Sequence, residues 1–305
     1  MNKAAAIDIG SNTLRLLIAN IEGNRLLPII RDREIVRLGR NFYPERILSA
    51  EAMDLALRVL GRFRRQMEQE RINNLRAAGT GVLREAQNSD GFIEAVRRET
   101  NLKLEIISGE EEAELSAWGV LSVFPRLSTR TFIFDLGGGS AEFVNLDGNR
   151  LETAVSLPLG VVGLTELFLP SDPPGPAEIK RLQAYVLEIL MKNIQPAPAL
   201  PRLIGTAGTV TTLAAMVQGL TDYDPDRING SVLDRDTLDR LLSTMGSLPL
   251  ERRSRLPGLE PGRSDIIVAG LAVVLTVMLF FKVAELWVSD AGLLEGLLLE
   301  NPARR

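Results

Sequence analysis

The 305-residue chain contains neither cysteine nor histidine. Without cysteine there are no disulfides, no thiolate metal site and no cysteine nucleophile. Without histidine there is no imidazole base, no phosphohistidine intermediate and no His-ligated zinc or di-metal centre. Acid–base work therefore falls to carboxylates, lysine, tyrosine or metal-bound water. Long hydrophobic runs are equally scarce. The only one, Ile266 to Phe281, is bounded by Asp265 and Lys282 and is shorter than the roughly 20 residues that span a bilayer, so it reads as a buried core helix. Before Asp8 only four apolar residues follow Met-Asn-Lys, too few for a signal peptide. A cytoplasmic location without a membrane partner is expected. An excess of positive charge is also missing: the net charge is -4 and the pI near 5.3, which argues against nucleic acid as partner. An anionic ligand would be held by local groups. No GxxxxGK[ST] sequence occurs, which closes a P-loop reading.

What is present is a chain of 45% hydrophobic residues, long enough for a large core and about two domains. Residues 4–9 and 14–21 read as two buried strands joined by Gly10-Ser11-Asn12-Thr13, a hairpin with an acid, Asp8, at its tip. Apolar residues from Met53 onward (Ala56, Leu57, Leu60, Phe63, Met67) fall at helical spacing. A strand near Leu75 to Ala78 follows, then the turn Gly79-Thr80-Gly81, a helix over about Phe92 to Glu99, a strand at Leu104 to Ile107 and a helix from about Glu110 to Phe124. Alternation of this kind implies an α/β class.

Residues 131–148, TFIFDLGGGSAEFVNLDG, then repeat the architecture of residues 4–23: an apolar strand, Asp, an apolar residue, a Gly/Ser turn and a second strand ending in Gly. Such a duplication predicts two similar lobes, residues 1–125 and 126–305, each with one acidic turn facing a shared interdomain cleft. Proline-rich loops at Pro170 to Pro176 and Pro196 to Pro201 bracket a helix. The chain closes with the apolar helix 266–281, a strand near Leu286 to Ser289 and a last helix from about Leu293 that could pack back on the first lobe.

Asp135 followed by Gly137, Gly138, Gly139 and Ser140 is the strongest local signal. Consecutive glycines let backbone N–H groups converge on phosphate oxygens that a Cβ would block, and the adjacent acid can hold a cation. An ordinary hairpin turn is the alternative, and the repetition of the strand–Asp pattern at Asp8 favours function. Around that first turn Gly10, Ser11, Asn12 and Arg15 add backbone donors, side-chain donors and a guanidinium suited to phosphate. Turn-forming hydrogen bonds of Asn and Ser are the competing explanation. Residues 205–212, with Gly205, Gly208 and Thr209, follow an apolar strand and open a helix read over Leu213 to Gln218, an anion site in principle. In Ser108-Gly109-Glu110-Glu111-Glu112, Ser108 and Glu111 fit a capping box. Glu112 is left over and, in a chain without histidine, is the available base.

These residues carry a resemblance to the exopolyphosphatase and guanosine pentaphosphate phosphohydrolase family, a branch of the actin-like, sugar-kinase-like (ribonuclease H-like) superfamily. It extends from AIDIGSNTLRLLI through TGVLREA, ISGEEEAEL, FDLGGGSAE, SLPLGVVGLTE, IGTAGTVTTLAA, YDPDRINGSVL and RSDIIVAG to VSDAGLLEG. The resemblance implies a two-lobed α/β fold and Mg2+ or another divalent cation held by Asp8, Asp135 and Glu142. It implies Glu112 as the base that activates water. The phosphate chain of polyphosphate, guanosine pentaphosphate or tetraphosphate would then be held by Ser11, Asn12, Arg15, Arg84, the glycines 137–139, Ser140 and Arg263. Asn229, Leu294 and Thr80-Gly81-Val82 depart from the family's commoner His, Arg and ATSA-like residues. The chain resembles the short two-domain form, with homodimerisation left open. An acetate- or sugar-kinase-like phosphotransferase, a non-catalytic alarmone or polyphosphate sensor and an actin-like filament protein are the competing classes.

Overall fold

The computed structural model describes residues 2–23, 25–127, 130–195 and 202–299; the proline-rich stretch Pro196 to Pro201 lies outside the described residues. Two compact units are formed, one from residues 1–122 with 291–305 and one from 123–290.

In the first unit β1 (Asn2–Ile9), β2 (Thr13–Glu22) and β3 (Arg25–Ile35) make an antiparallel meander. After α1 (Ala50–Gln69), β4 (Asn74–Gly79) pairs parallel with β1. Then follow α2 (Val82–Glu85), α3 (Ser89–Thr100), β5 (Leu104–Ile106) parallel to β4, and α4 (Gly109–Val123). The sheet order is β3-β2-β1-β4-β5.

The second unit repeats this plan. β6 (Thr131–Leu136), β7 (Ala141–Asp147) and β8 (Arg150–Leu157) form the meander. After α5 (Val161–Phe168) and α6 (Pro176–Asn193), β9 (Arg202–Thr206) pairs parallel with β6. Next come α7 (Ala207–Val217), α8 (Pro225–Ile228), β10 (Val232–Asp234), α9 (Arg235–Ser247), α10 (Leu250–Arg253) and α11 (Ile267–Phe280). β11 (Glu285–Val288) lies parallel to β9, with β10 antiparallel at the edge, giving β10-β11-β9-β6-β7-β8. Apart from β10, the two sheets share strand order and direction. Each meander also breaks register at a corresponding place, between Ile18 and Ala19 and between Asn145 and Leu146. This duplicated α/β topology is the fold that the family resemblance implies.

Alternation along β1 sends Ala5, Ile7 and Ile9 into a core with Phe63 of α1 and Phe92 of α3. Ala4 and Ala6 face a second core with Leu115 and with Leu293 and Leu297 of α12 (Leu293–Leu298). Asp8 shares the face of Ala4 and Ala6. Two glycines set the approach of α4 and α12: a Cβ on Gly119 would collide with the Gly292 carbonyl, and one on Gly296 with that of Leu115. An ion pair from Arg31 to the buried Glu295, at 2.7 Å, holds α12 beside the meander. In the second unit α11 is apolar all round because α5, α6, α7 and α9 surround it. No helix among the described residues is long and apolar enough to cross a membrane.

Three local expectations need correction. α1 begins at Ala50, before Met53, because Ser49 Oγ accepts the Ala52 N–H at 3.2 Å and caps the helix. α7 begins at Ala207, well before Leu213. Its early threonines turn their hydroxyls back into the helix, as Thr212 does to the Gly208 carbonyl at 2.6 Å. The third meander strands, β3 and β8, have no counterpart in the sequence reading. Each follows a glycine at positive φ, Gly23 (60°) and Gly148 (58°), opening a Gly-Asn-Arg segment.

Candidate functional site

The two acidic turns have one geometry. Gly10 N–H donates to the Thr13 carbonyl at 3.1 Å, and Gly137 N–H donates to the Ser140 carbonyl at 3.0 Å. Both acids stand inside their strands rather than just after them, because pairing continues to Ile9 with Leu14 and to Leu136 with Ala141. Each carboxylate therefore projects from a sheet face, opposite a cross-strand partner seven residues later: Arg15 for Asp8, Glu142 for Asp135.

That partner differs in kind. Arg15 holds Asp8 Oδ2 through Nη2 at 2.6 Å and Nε at 2.8 Å, and Thr80 Oγ1 lies 3.5 Å from Oδ1. Asp8 is thus neutralised by a guanidinium from its own hairpin. Ser11, expected to meet phosphate, accepts the Val82 N–H on its Oγ at 3.1 Å and ties the turn to α2. Asn12 Nδ2 reaches Thr13 Oγ1 at 3.4 Å.

On α2, Arg84 Nη1 donates to Glu112 Oε2 and, at 3.4 Å, to the Ile107 carbonyl. The expected base and an expected phosphate ligand are therefore partners. A guanidinium carries five N–H donors in a planar fork, a geometry that suits both carboxylate and phosphate oxygens. The start of α4 sorts its acids. Ser108 Oγ accepts the Glu111 N–H at 3.1 Å, the Glu111 carboxylate pairs with Arg76 at 2.9 Å, and Glu112 alone is buried. Adjacent helical residues point about 100° apart, which gives the two acids different surroundings.

In the second unit Asp135 and Glu142 are 7% and 1% exposed and face one another across β6 and β7. Like charges placed opposite in a sheet destabilise it. Ser156 on β8, Glu142's next neighbour, donates from Oγ to Glu142 Oε1 at 2.7 Å. Sequence reasoning missed Ser156; its place in SLPLG after a Gly-Asn-Arg turn was the available signal. Two buried carboxylates, with no imidazole or thiolate in the chain, fit a hard divalent cation such as Mg2+. Among the described residues no group of three or more acids gathers, so protein would supply few ligands and water or phosphate the rest, as is usual for Mg2+.

The 205–212 segment resolves into different roles. Gly205 lies within β9, its carbonyl accepting the Ser289 N–H at 2.9 Å, and its missing side chain makes room for the Phe134 ring; it is a packing residue, not a phosphate donor. Thr209 packs its methyl against Gly270 of α11. Gly208 lies directly under the guanidinium of Arg263, which a Cβ there would strike. Arg263 is no surface charge: it is 7% exposed and bonded to Glu260. Ala207, at the helix start, has φ of 69°, a left-handed conformation that costs a non-glycine residue about 1–2 kcal/mol. Arg263 thus lies over the start of α7, where Thr206 makes no side-chain cap, and a helix N-terminus beside a guanidinium is suited to an anion. Arg263→Ala is expected to raise KM for phosphate chains roughly tenfold, a loss on the scale of one charged hydrogen bond. Gly208→Ala should do the same by displacing the guanidinium. Steady-state kinetics check both, and wild-type KM in the two variants would exclude the contact.

The departures from family pattern have structural accounts. Asn229 accepts the Asp290 N–H on Oδ1 at 2.7 Å, beside a bond from Tyr223 OH to the Asp290 carboxylate. Leu294 is a buried core residue, and Thr80 is the residue that reaches Asp8.

The sequence profile described as Ppx/GppA phosphatase family matches residues 17–304. Exopolyphosphatase 2 of Mycobacterium tuberculosis is 31% identical, with 98% of each chain covered. A bifunctional 3-dehydroquinate synthase/phosphatase of Fusobacterium nucleatum is 33% identical over 97% of this chain, which spans only 46% of that longer protein. The crystal structure of the Aquifex aeolicus Ppx/GppA family member superposes with a TM-score of 0.83 at 32% identity, covering 97% of this chain and 96% of that one. With both acidic turns, the buried carboxylates and the match across nearly the whole length in hand, the chain belongs to the Ppx/GppA phosphatase family and is a hydrolase of phosphoanhydride bonds.

Proposed function

We propose that the chain removes the terminal phosphate of inorganic polyphosphate, of guanosine pentaphosphate, or of both, by direct attack of water. The duplicated turn carries this reading: two equivalent hairpins, each with a buried strand acid and amide-rich tip, make chemical sense if both serve one anionic ligand. Glu112 takes the proton of the attacking water, and Arg84 holds Glu112 in place while contacting a phosphoryl oxygen. Turn amides of Asn12, Gly138 and Gly139, with Ser140, Arg15 and Arg263, bind the other oxygens. The shortened chain leaves on its new terminal oxygen. Asp135 and Glu142, together with Asp8, are suited to hold Mg2+, which when bound neutralises charge on the transferring group.

Phosphate release from polyphosphate and from guanosine pentaphosphate, each with and without Mg2+, tests the reading. Magnesium-dependent release from at least one is expected. Absence of release from both, or a liganded structure with the two turns on separate ligands, would overturn it.

A further inference from the structure

The glycine turn is backed by a neighbouring segment whose role the motif alone does not disclose. At the start of α5, Val161 N–H donates to the Gly137 carbonyl at 3.1 Å and Val162 N–H to the Gly138 carbonyl at 3.0 Å. Within a trans peptide the C=O and the next residue's N–H point in opposite directions. Pinning those two carbonyls toward α5 therefore aims the N–H groups of Gly138 and Gly139 away from it. Neither amide has an acceptor among the described residues, and both glycines are half-buried. The helix dipole of α5 is used up on the turn and is not itself an anion site. The approach depends on Gly160, where a Cβ would collide with the Gly139 backbone.

The first turn is backed in the same way. Gly39 N–H donates to the Ser11 carbonyl at 2.7 Å, which aims the Asn12 N–H outward, and Val36 and Arg37 N–H groups meet the Asn12 carbonyl at 3.0 and 2.9 Å. A Cβ on Gly39 would lie 3.2 Å from Ser11 Cβ and 3.3 Å from its carbonyl oxygen.

From this we propose that Gly160 with the Val161 and Val162 amides, and Gly39 in the first unit, are positioning residues. They lock the turn peptides in the orientation that presents free N–H donors to the terminal phosphoryl oxygens. The proposal rests on the functional reading above and adds a mechanism of preorganisation: donors fixed before substrate arrives need not reorient in the transition state.

Val161→Pro is the test. Proline is tolerated at the first position of a helix, and Gly160 already has φ -66° and ψ 134°, the backbone that precedes proline readily. The change removes one N–H and puts a ring carbon against the Gly137 carbonyl. On a Glu112→Gln background, where slowed turnover lets binding of tripolyphosphate be measured, its Kd should rise on the order of tenfold, equal to about 1.4 kcal/mol, with the melting temperature nearly unchanged. Gly160→Ala should weaken binding at least as much, and Val161→Pro decides the matter if that variant does not fold. Gly91→Ala, on α3 with open space around it, is the control and should leave binding unchanged. Wild-type Kd in Val161→Pro overturns the positioning role. Absence of binding of both tripolyphosphate and guanosine pentaphosphate by the Glu112→Gln parent would instead overturn the functional reading.

Discussion

Glu112→Gln is expected to lower kcat by a factor on the order of 10² to 10⁴ with near-normal substrate affinity, the range for loss of a general base. The variant keeps the shape of a buried side chain whose Oε2 meets Arg84 and removes only the charge and basicity. Its neighbour is the internal control. Glu111→Gln loses a part-exposed ion pair with Arg76, worth about 0–1 kcal/mol, and leaves the main-chain bond from its N–H to Ser108 Oγ intact. Activity should stay within a few-fold of wild type. Initial rates and substrate binding in the two variants check the assignment. A greater loss in Glu111→Gln would mean that the other acid is the base.

Glu142→Gln should separate stability from activity. In the metal-free protein two carboxylates face one another across β6 and β7, and replacing one by an amide relieves a like-charge opposition worth roughly 0.2–1 kcal/mol. The amide oxygen introduced by the substitution can still accept from Ser156, so the melting temperature without divalent cations should rise by a degree or more. Activity should fall by on the order of 10² or more, because the variant has lost half of the buried carboxylate pair suited to Mg2+. Stabilisation of the wild type by added Mg2+ should shrink in the variant, by mass action. Thermal unfolding with and without Mg2+ beside steady-state rates gives the answer. A variant that is both less stable without metal and fully active would remove Glu142 from the site.

The sheets show why parts of the fold were legible and others were not. β1 and β6 announce themselves by the apolar runs Ala4 to Ile7 and Phe132 to Phe134, each leading into an aspartate, because both faces of these central strands are covered. β3 and β8 are outer strands with mixed exposure. Their apolar pattern is correspondingly weak, and only the Gly-Asn-Arg turns mark them. α11 was legible as a buried helix by its length, whereas the start of α7 at Ala207 was hidden by glycine and threonine, poor helix formers that tertiary packing overrides.

The amino-acid sequence by itself determined the chemistry available: no imidazole base and no thiolate ligand, two amide-rich turns related by duplication, and membership of a family carried by ordered motifs. These depend on residue identity and local backbone preference, which act over a few residues. Only the tertiary structure decided how the groups are paired. Arg15 turns to Asp8, Arg84 to Glu112, Ser156 to Glu142 and Arg263 to Gly208. Strand register and helix packing across intervals of up to scores of residues set those pairings, and no local pattern encodes them. The same holds for Gly160 and Gly39, whose need for a missing Cβ becomes visible only when another segment's backbone lies against them.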